Sequence, residues 1–318
     1  MRSRRPGRLQ PLTSPLTARA TRHPLPVDWW LCAFNLAMAA IWAPLAPAHP
    51  TARLLLGSHL LAATLPMLLG WAPPPSGRSL RLLYDAYPLA WAAAFWTELD
   101  LHTRFVNTLR DDQALLSLDR AVFGGHLNQA WLANMQAGAL SELMYLLYLS
   151  YYLLLVGVPL FLFFRGTEAQ VREGVLRIVL AYLGCILVHA WWPTIGPAVL
   201  PPQFPAPLSA RWFFRLSHWI ADGGDSLGTA FPSTHVAGAV TFAWIAWRFW
   251  KRRIAVGVTL LAVGIMGAAV YTQNHFAVDS LAGALMGLAL QGLVVPLFTK
   301  PAVRAEEAAA AVVEESGP

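Results

Sequence analysis

The stretch STHVAGAVTFAWIAWRFWKRRIAVGVTLLAVGIMGAAVYTQNHFAVD, residues 233–279, decides how this chain folds. Two apolar runs flank the cations Lys251, Arg252 and Arg253. As a helix, the run 254–274 would be about 30 Å long, which is the hydrocarbon thickness of a bilayer. A helical hairpin follows. The chain leaves His235, turns on the three cations and returns by residue 274. His235 and His275, 40 residues apart in sequence, therefore belong at the same end of the hairpin.

The same apolar length recurs outward from this hairpin. Spans are expected at 29–47, 54–72, 80–97, 142–164, 175–192, 233–250, 254–274 and 276–298. The third is the weakest, because Arg81 and Asp85 fall inside it. The expectation is an all-α, polytopic transmembrane helical bundle of six to eight spans, with an interfacial helical segment on its outer face. Composition agrees: 56% of the 318 residues are hydrophobic and 13% charged, against about 25% charged in a soluble domain. So little charge cannot cover a soluble surface. The 14 Trp and 8 Tyr suit the membrane interface.

The positive-inside rule orients the spans. With the basic N-terminus in the cytoplasm, Arg78 and Arg81, then Arg165, Arg172 and Arg177, then Lys251–Arg253, then Lys300 and Arg304 all fall inside. His235 and His275 then face outward. The expected division is a disordered basic cytoplasmic tail at 1–27, N-terminal spans at 28–97, an outer interfacial segment at 98–141, a catalytic membrane core at 142–298 and a cytoplasmic tail at 299–318. An uncleaved first span is preferred to a signal peptide, because the basic segment before it is long. RWFFRLSHWI, 211–220, reads as an amphipathic stretch suited to a membrane surface. The net charge of +6 is scattered through short loops and the tail, so no nucleic acid partner is expected. Cys32 and Cys185 lie in apolar stretches and imply neither a metal cluster nor a disulfide framework.

Two strings carry chemistry: AFPSTHVAGA, 230–239, and YTQNHFAVDSLAG, 271–283. His275 and Asp279 are four apart, hence neighbours on one helical face. An aspartate there can accept the Nδ1 proton of the imidazole, leave Nε2 as a nucleophile and stabilise the positive charge that forms. His235 can protonate a leaving oxygen. Pro232 suits a helix entry and Ser233 a cap, and the first-turn N–H groups, with Ser233 and Thr234, can meet phosphate oxygens. One histidine near a helix end is ordinarily just an interfacial residue. A lone Asp inside a membrane costs roughly 2.5–3.5 kcal/mol, so it calls for a partner. Two histidines and an aspartate converging on one face favour a site. Gly283 and Gly287 read as a helix-packing step.

These strings resemble the type-2 phosphatidic acid phosphatase superfamily, with its Pro-Ser-x-His motif at Pro232–His235 and its later His with Asp four residues on at His275 and Asp279. ELMYLLYLSYY, 142–152, and LDRAVFGG, 118–125, are similar to the branch containing inositol phosphorylceramide synthase. The resemblance implies His275 as nucleophile, Asp279 as its orienter, His235 as acid, a phosphohistidine-type intermediate, and neither metal nor cofactor. The implied partners are a membrane and a lipid phosphate or phospholipid substrate.

The chain departs from the phosphatase pattern at both phosphate-gripping arginines: Ala269 stands six residues before His275, and Gly196 precedes Pro197. A phosphomonoester dianion needs more positive charge than a phosphodiester monoanion, and Arg is the residue that grips phosphate bidentately. Headgroup transfer to a lipid hydroxyl is therefore favoured over hydrolysis of a phosphatidic acid-type or isoprenoid monoester, which remains the alternative. Arg104, Arg110, Arg120, Arg211 or Arg215 could still supply the charge. Arg211, Arg215 and His189 are carried as candidate substrate contacts. A non-catalytic lipid transporter or scaffold is a third reading. The few internal charges, Arg81, Asp85 and Asp279, offer it little polar path.

Overall fold

The computed structural model describes residues 24–72, 75–105, 112–134, 138–200, 211–224, 226 and 228–299. Most of the 1–27 tail, nearly all of the 299–318 tail, and Arg110 lie outside them. Each of the apolar stretches expected to span is a helix: α1 (Pro26–Trp42), α2 (Pro50–Trp71), α3 (Arg78–Phe105), α6 (Gly138–Arg165), α7 (Glu168–Trp191), α9 (Thr234–Phe249), α10 (Arg252–Tyr271) and α11 (Ala277–Ala289), the last running on through a π turn at Leu290–Val294. Between them lie α4 (Asp112–Phe123), α5 (Leu127–Asn134) and α8 (Trp212–Gly224).

Among the described residues, five helices are long and apolar enough to cross a membrane: α2, α6, α7, α10 and the Ala277–Thr299 continuation of α11. Their outer faces say the same. Leu54, Leu61 and Leu68, seven apart on one face of α2, point out of the bundle, as do Leu153 and Phe164 on α6 and Leu260 on α10. A water-soluble monomer rarely exposes a contiguous apolar surface of this kind. The chain is an integral membrane protein built as a helical bundle.

α7 is the axis of the bundle, with 83% of its apolar window buried. It starts with a capping box, in which Gln170 N–H bonds Thr167 Oγ1 and Thr167 N–H bonds Gln170 Oε1. Charged side chains of α3 meet partners on α7. Arg172 on α7 bonds Asp85 on α3 at 2.7 Å, and Arg81 lies 3.4 Å from Glu168. This pairing explains how α3 carries the charges that made it the weakest expected span. α3 also runs past its expected end at 97, because Leu99 and His102 are buried inside the bundle. The expected interfacial segment is helical, as α4 and α5. Leu115 and Leu116 of α4 pack on Phe276 and Val278 at the start of α11.

α9 and α10 form the hairpin expected from the opening stretch. Lys251, Arg252 and Arg253 are exposed at its turn, opposite the end that carries His235 and His275. Gly283 lets α11 lie against α9: a Cβ there would sit 2.4 Å from the Ser233 carbonyl oxygen. That contact sets the two motif-bearing helices side by side.

Candidate active site

Three segments build the site. The first is the start of α9, where Ser233 caps the helix by accepting Val236 N–H at 3.3 Å. The second is the turn before α11, where Phe276 N–H bonds Asp279 Oδ2 at 2.8 Å. The third is a short bridge between Thr194 and Thr229. In that bridge, Ala230 N–H bonds the Thr194 carbonyl at 3.0 Å and Phe231 N–H bonds Thr194 Oγ1 at 3.0 Å. The bridge fixes the direction of the Ala230 carbonyl. Ser233 N–H bonds the Asp279 carbonyl at 3.0 Å, so the two motifs share a backbone hydrogen bond.

This frame brings the His235 and His275 ring centroids to 5.8 Å. His275 Nδ1–H donates to the Ala230 carbonyl at 3.0 Å. Asp279 Oδ2 lies 3.9 Å from the same nitrogen, beyond hydrogen-bond length. A backbone carbonyl therefore holds the tautomer that frees Nε2, and the aspartate stands off from the ring. Asp279 is buried, and its Oδ1 has no hydrogen-bond partner among the described residues. His235 is packed among tyrosines. The Tyr148 hydroxyl lies 3.2 Å from its Nε2, and the Tyr151 ring centroid is 4.4 Å away.

The other expected contacts divide. His189 is buried: its Nδ1–H donates to the Phe231 carbonyl at 3.0 Å and its Nε2 accepts from the Thr234 hydroxyl at 2.9 Å. It braces the entry to α9 rather than facing open space. Ser233 is a cap, whereas Thr234 also lines a cavity. Arg211 and Arg215 are exposed around the start of α8, and neither lines a cavity beside the histidines.

Two cavities meet at the site. A polar chamber of about 220 Å³ is lined by both histidines, Trp96, Tyr148, Gln273 and Asn274, with loop residues around Thr229. Its described lining contains no Arg or Lys. An apolar chamber of about 490 Å³ runs from His235 and Thr234 between α3, α6 and α7. Among the described residues, no group of three or more His, Cys, Asp and Glu side chains is arranged to hold a metal ion.

The two vacated arginine positions have structural reasons. Gly196 has φ +78°, and a Cβ there would meet that of Ala230 at 2.8 Å, so this backbone has no room for a long side chain. Ala269 is buried, and its carbonyl accepts from Asn274 and His275 N–H at 3.2 and 3.1 Å.

The model of the PAP2 superfamily matches residues 113–293, more than half of the 318 residues. The chain belongs to the PAP2 superfamily. The PAP2 match runs from the second residue of α4 into the Leu290–Val294 turn, takes in both motif strings, and leaves α1–α3 outside. No curated protein and no solved structure matches the chain. Membership makes this an enzyme of phosphatase or phosphotransferase type that works on lipid phosphates.

Several supports in this PAP2 site escaped sequence reasoning. Asp119 on α4 takes the Val278 N–H at 3.1 Å, and its other oxygen lies 3.1 Å from His126 Nδ1. Asp112 takes the N–H groups of Ile195 and Gly196, both at 2.9 Å. Asn128 and Gln273 exchange hydrogen bonds at 2.8 and 2.7 Å. Tyr148 carried a usable signal, because Tyr145, Tyr148 and Tyr152 fall at helical spacing on α6.

Proposed function

We propose that the protein is a lipid phosphotransferase, similar to inositol phosphorylceramide synthase, that moves a phospho-headgroup from a phospholipid to a lipid hydroxyl. The observation that carries this reading is the polar chamber, whose described lining offers neutral donors and the two histidines but no guanidinium or ammonium group. A phosphodiester monoanion fits such a lining better than a monoester dianion. His275 Nε2 attacks phosphorus, with Nδ1–H held by the Ala230 carbonyl and the Asp279 charge stabilising the cationic ring. His235 protonates the departing oxygen and later takes the proton of the incoming hydroxyl. First-turn N–H groups of α9 other than that of Val236, which Ser233 takes, receive phosphate oxygens. The reaction needs no metal. The site lies on the outer face of the membrane, since the cationic hairpin turn lies at the opposite end of α9 and α10.

The test uses purified protein in vesicles with headgroup-labelled phosphatidylinositol and a long-chain lipid alcohol. Label is expected on the alcohol. If the protein releases only inorganic phosphate from a monoester, the hydrolytic reading replaces this one. Lipid movement that survives loss of both histidines would instead support a transporter.

A further inference from the structure

His235 and Trp96 line both chambers, whereas His275 lines only the polar one. The two histidines therefore differ in what lies behind them. In displacement at phosphorus the attacking and leaving groups stand roughly in line, on opposite sides. With His275 on one side, the departing oxygen lies on the side of His235, at the mouth of the apolar chamber.

We infer that the apolar chamber is a single lipid-alcohol site used in both halves of the reaction, resting on the transferase reading above. In the first half, a bond forms between His275 Nε2 and phosphorus while the phosphorus–oxygen bond to the donor's lipid alcohol breaks. His235 gives its proton to that oxygen. In the second half, the acceptor's hydroxyl oxygen attacks phosphorus, its proton passes to His235, and the phosphorus–nitrogen bond breaks. Each alcohol in turn occupies the chamber with its hydrocarbon chain, so the first must leave before the second enters.

The dimensions and chemistry of the chamber fit this occupant. Its volume of about 490 Å³ falls among pockets that bury a ligand of drug size, about 300–1,000 Å³. A second apolar groove of about 260 Å³ continues it, sharing Leu89, Pro159, Leu160 and Ile178 and reaching Phe163 and Phe164. From Tyr151 to Phe163 α6 rises about 18 Å, slightly more than one leaflet of a hydrocarbon core about 30 Å thick. Polar groups are concentrated at the His235 end, where the hydroxyls of Tyr151 and Tyr182 bond each other and Thr234 stands beside them. A hydroxyl belongs at that end and a chain at the other. Ala93, Val156 and Leu160 are lining residues exposed on the outside of the bundle, so the chamber opens sideways to lipid between α3 and α6. The α3 wall, Leu89 to Trp96, lies outside the segment matched to the superfamily.

Ala93→Trp and Val156→Trp fill the side opening from its two walls. The measurement is turnover of a long-chain phospholipid donor against a chromogenic phosphodiester whose leaving alcohol has no chain. The ratio of the two is expected to fall at least tenfold in both variants. Added diacylglycerol, the alcohol left by the donor, is expected to inhibit competitively against the acceptor alcohol in wild type. An unchanged ratio in both variants, or inhibition that excess acceptor does not relieve, overturns the shared chamber. A wild type that only hydrolyses its substrate sinks the transferase reading instead, and the chain-dependent ratio still decides whether the chamber holds the alcohol.

Discussion

Among the described residues, His59 and His275 are buried histidines that each stand near a carboxylate, and they differ in what is left open. In the N-terminal helices, His59 Nε2 sits 2.9 and 3.0 Å from the two Glu98 oxygens, and its Nδ1 lies 2.9 Å from Asn35 Oδ1. Trp42 donates to Glu98 at 2.6 Å, and Asn35 donates to the Leu31 carbonyl at 2.8 Å. Both ring nitrogens are taken, and His59 lines neither chamber. This cluster ties α1, α2 and α3 together. At His275 only Nδ1 is taken among the described residues, the carboxylate stands off at 3.9 Å, and the ring borders a cavity. A histidine–carboxylate pair is therefore not a site by itself, and what sets the His275 pair apart is a ring that borders an open cavity.

Substitutions can break this contrast, beginning with the largest effect. His275→Ala is expected to abolish turnover while the melting temperature stays near that of wild type, since Ala230 lines the polar chamber and water there can take the bond to its carbonyl. Full activity in this variant would end the nucleophile assignment. His235→Ala is expected to lower kcat by about 10²–10⁴-fold, the usual worth of a positioned acid–base group. A chromogenic substrate with a very acidic leaving alcohol should recover much of the loss in the first half-reaction. Asp279→Asn removes a charge 3.9 Å from His275 Nδ1. Coulomb attraction at about 4 Å reaches about 4 kcal/mol at an effective dielectric constant of 20, so the rate is expected to fall by up to about a thousandfold. A loss below twofold would show that the Ala230 carbonyl suffices.

Smaller changes sharpen the comparison. Tyr148→Phe deletes one hydrogen bond to His235, and a net bond of about 0.5–1.5 kcal/mol predicts a two- to tenfold drop in kcat. His59→Ala is expected to do the reverse of His275→Ala. It should cost about 1–3 kcal/mol of stability through the unpaired Glu98, and it should leave turnover per folded molecule near that of wild type. Urea titration and specific activity measured together separate the two outcomes.

The bundle was legible because an apolar run of bilayer length imposes its own helix, and His235 and His275 fell at one end by counting residues along α9 and α10. The packing role of Gly283 was legible from its spacing to Gly287. What escaped depends on contacts between distant parts of the chain. Asp119 reaches Val278 across 159 residues, and no local pattern announces a side chain that caps another helix. The Ala230 carbonyl escaped for a different reason: every residue has one, and only the Thr194–Thr229 bridge aims this one at His275. Arg211 and Arg215 looked suitable for their charge alone, but both are exposed and neither lines a cavity beside the histidines.

The bond from Ser233 N–H to the Asp279 carbonyl has a practical consequence. It joins the two motifs through main chain, so replacing the histidines or the aspartate leaves that seam in place. Chemically dead variants should keep the shape of the working enzyme, which makes them suitable vessels for capturing an intact substrate and reading its identity from the lipid that stays behind.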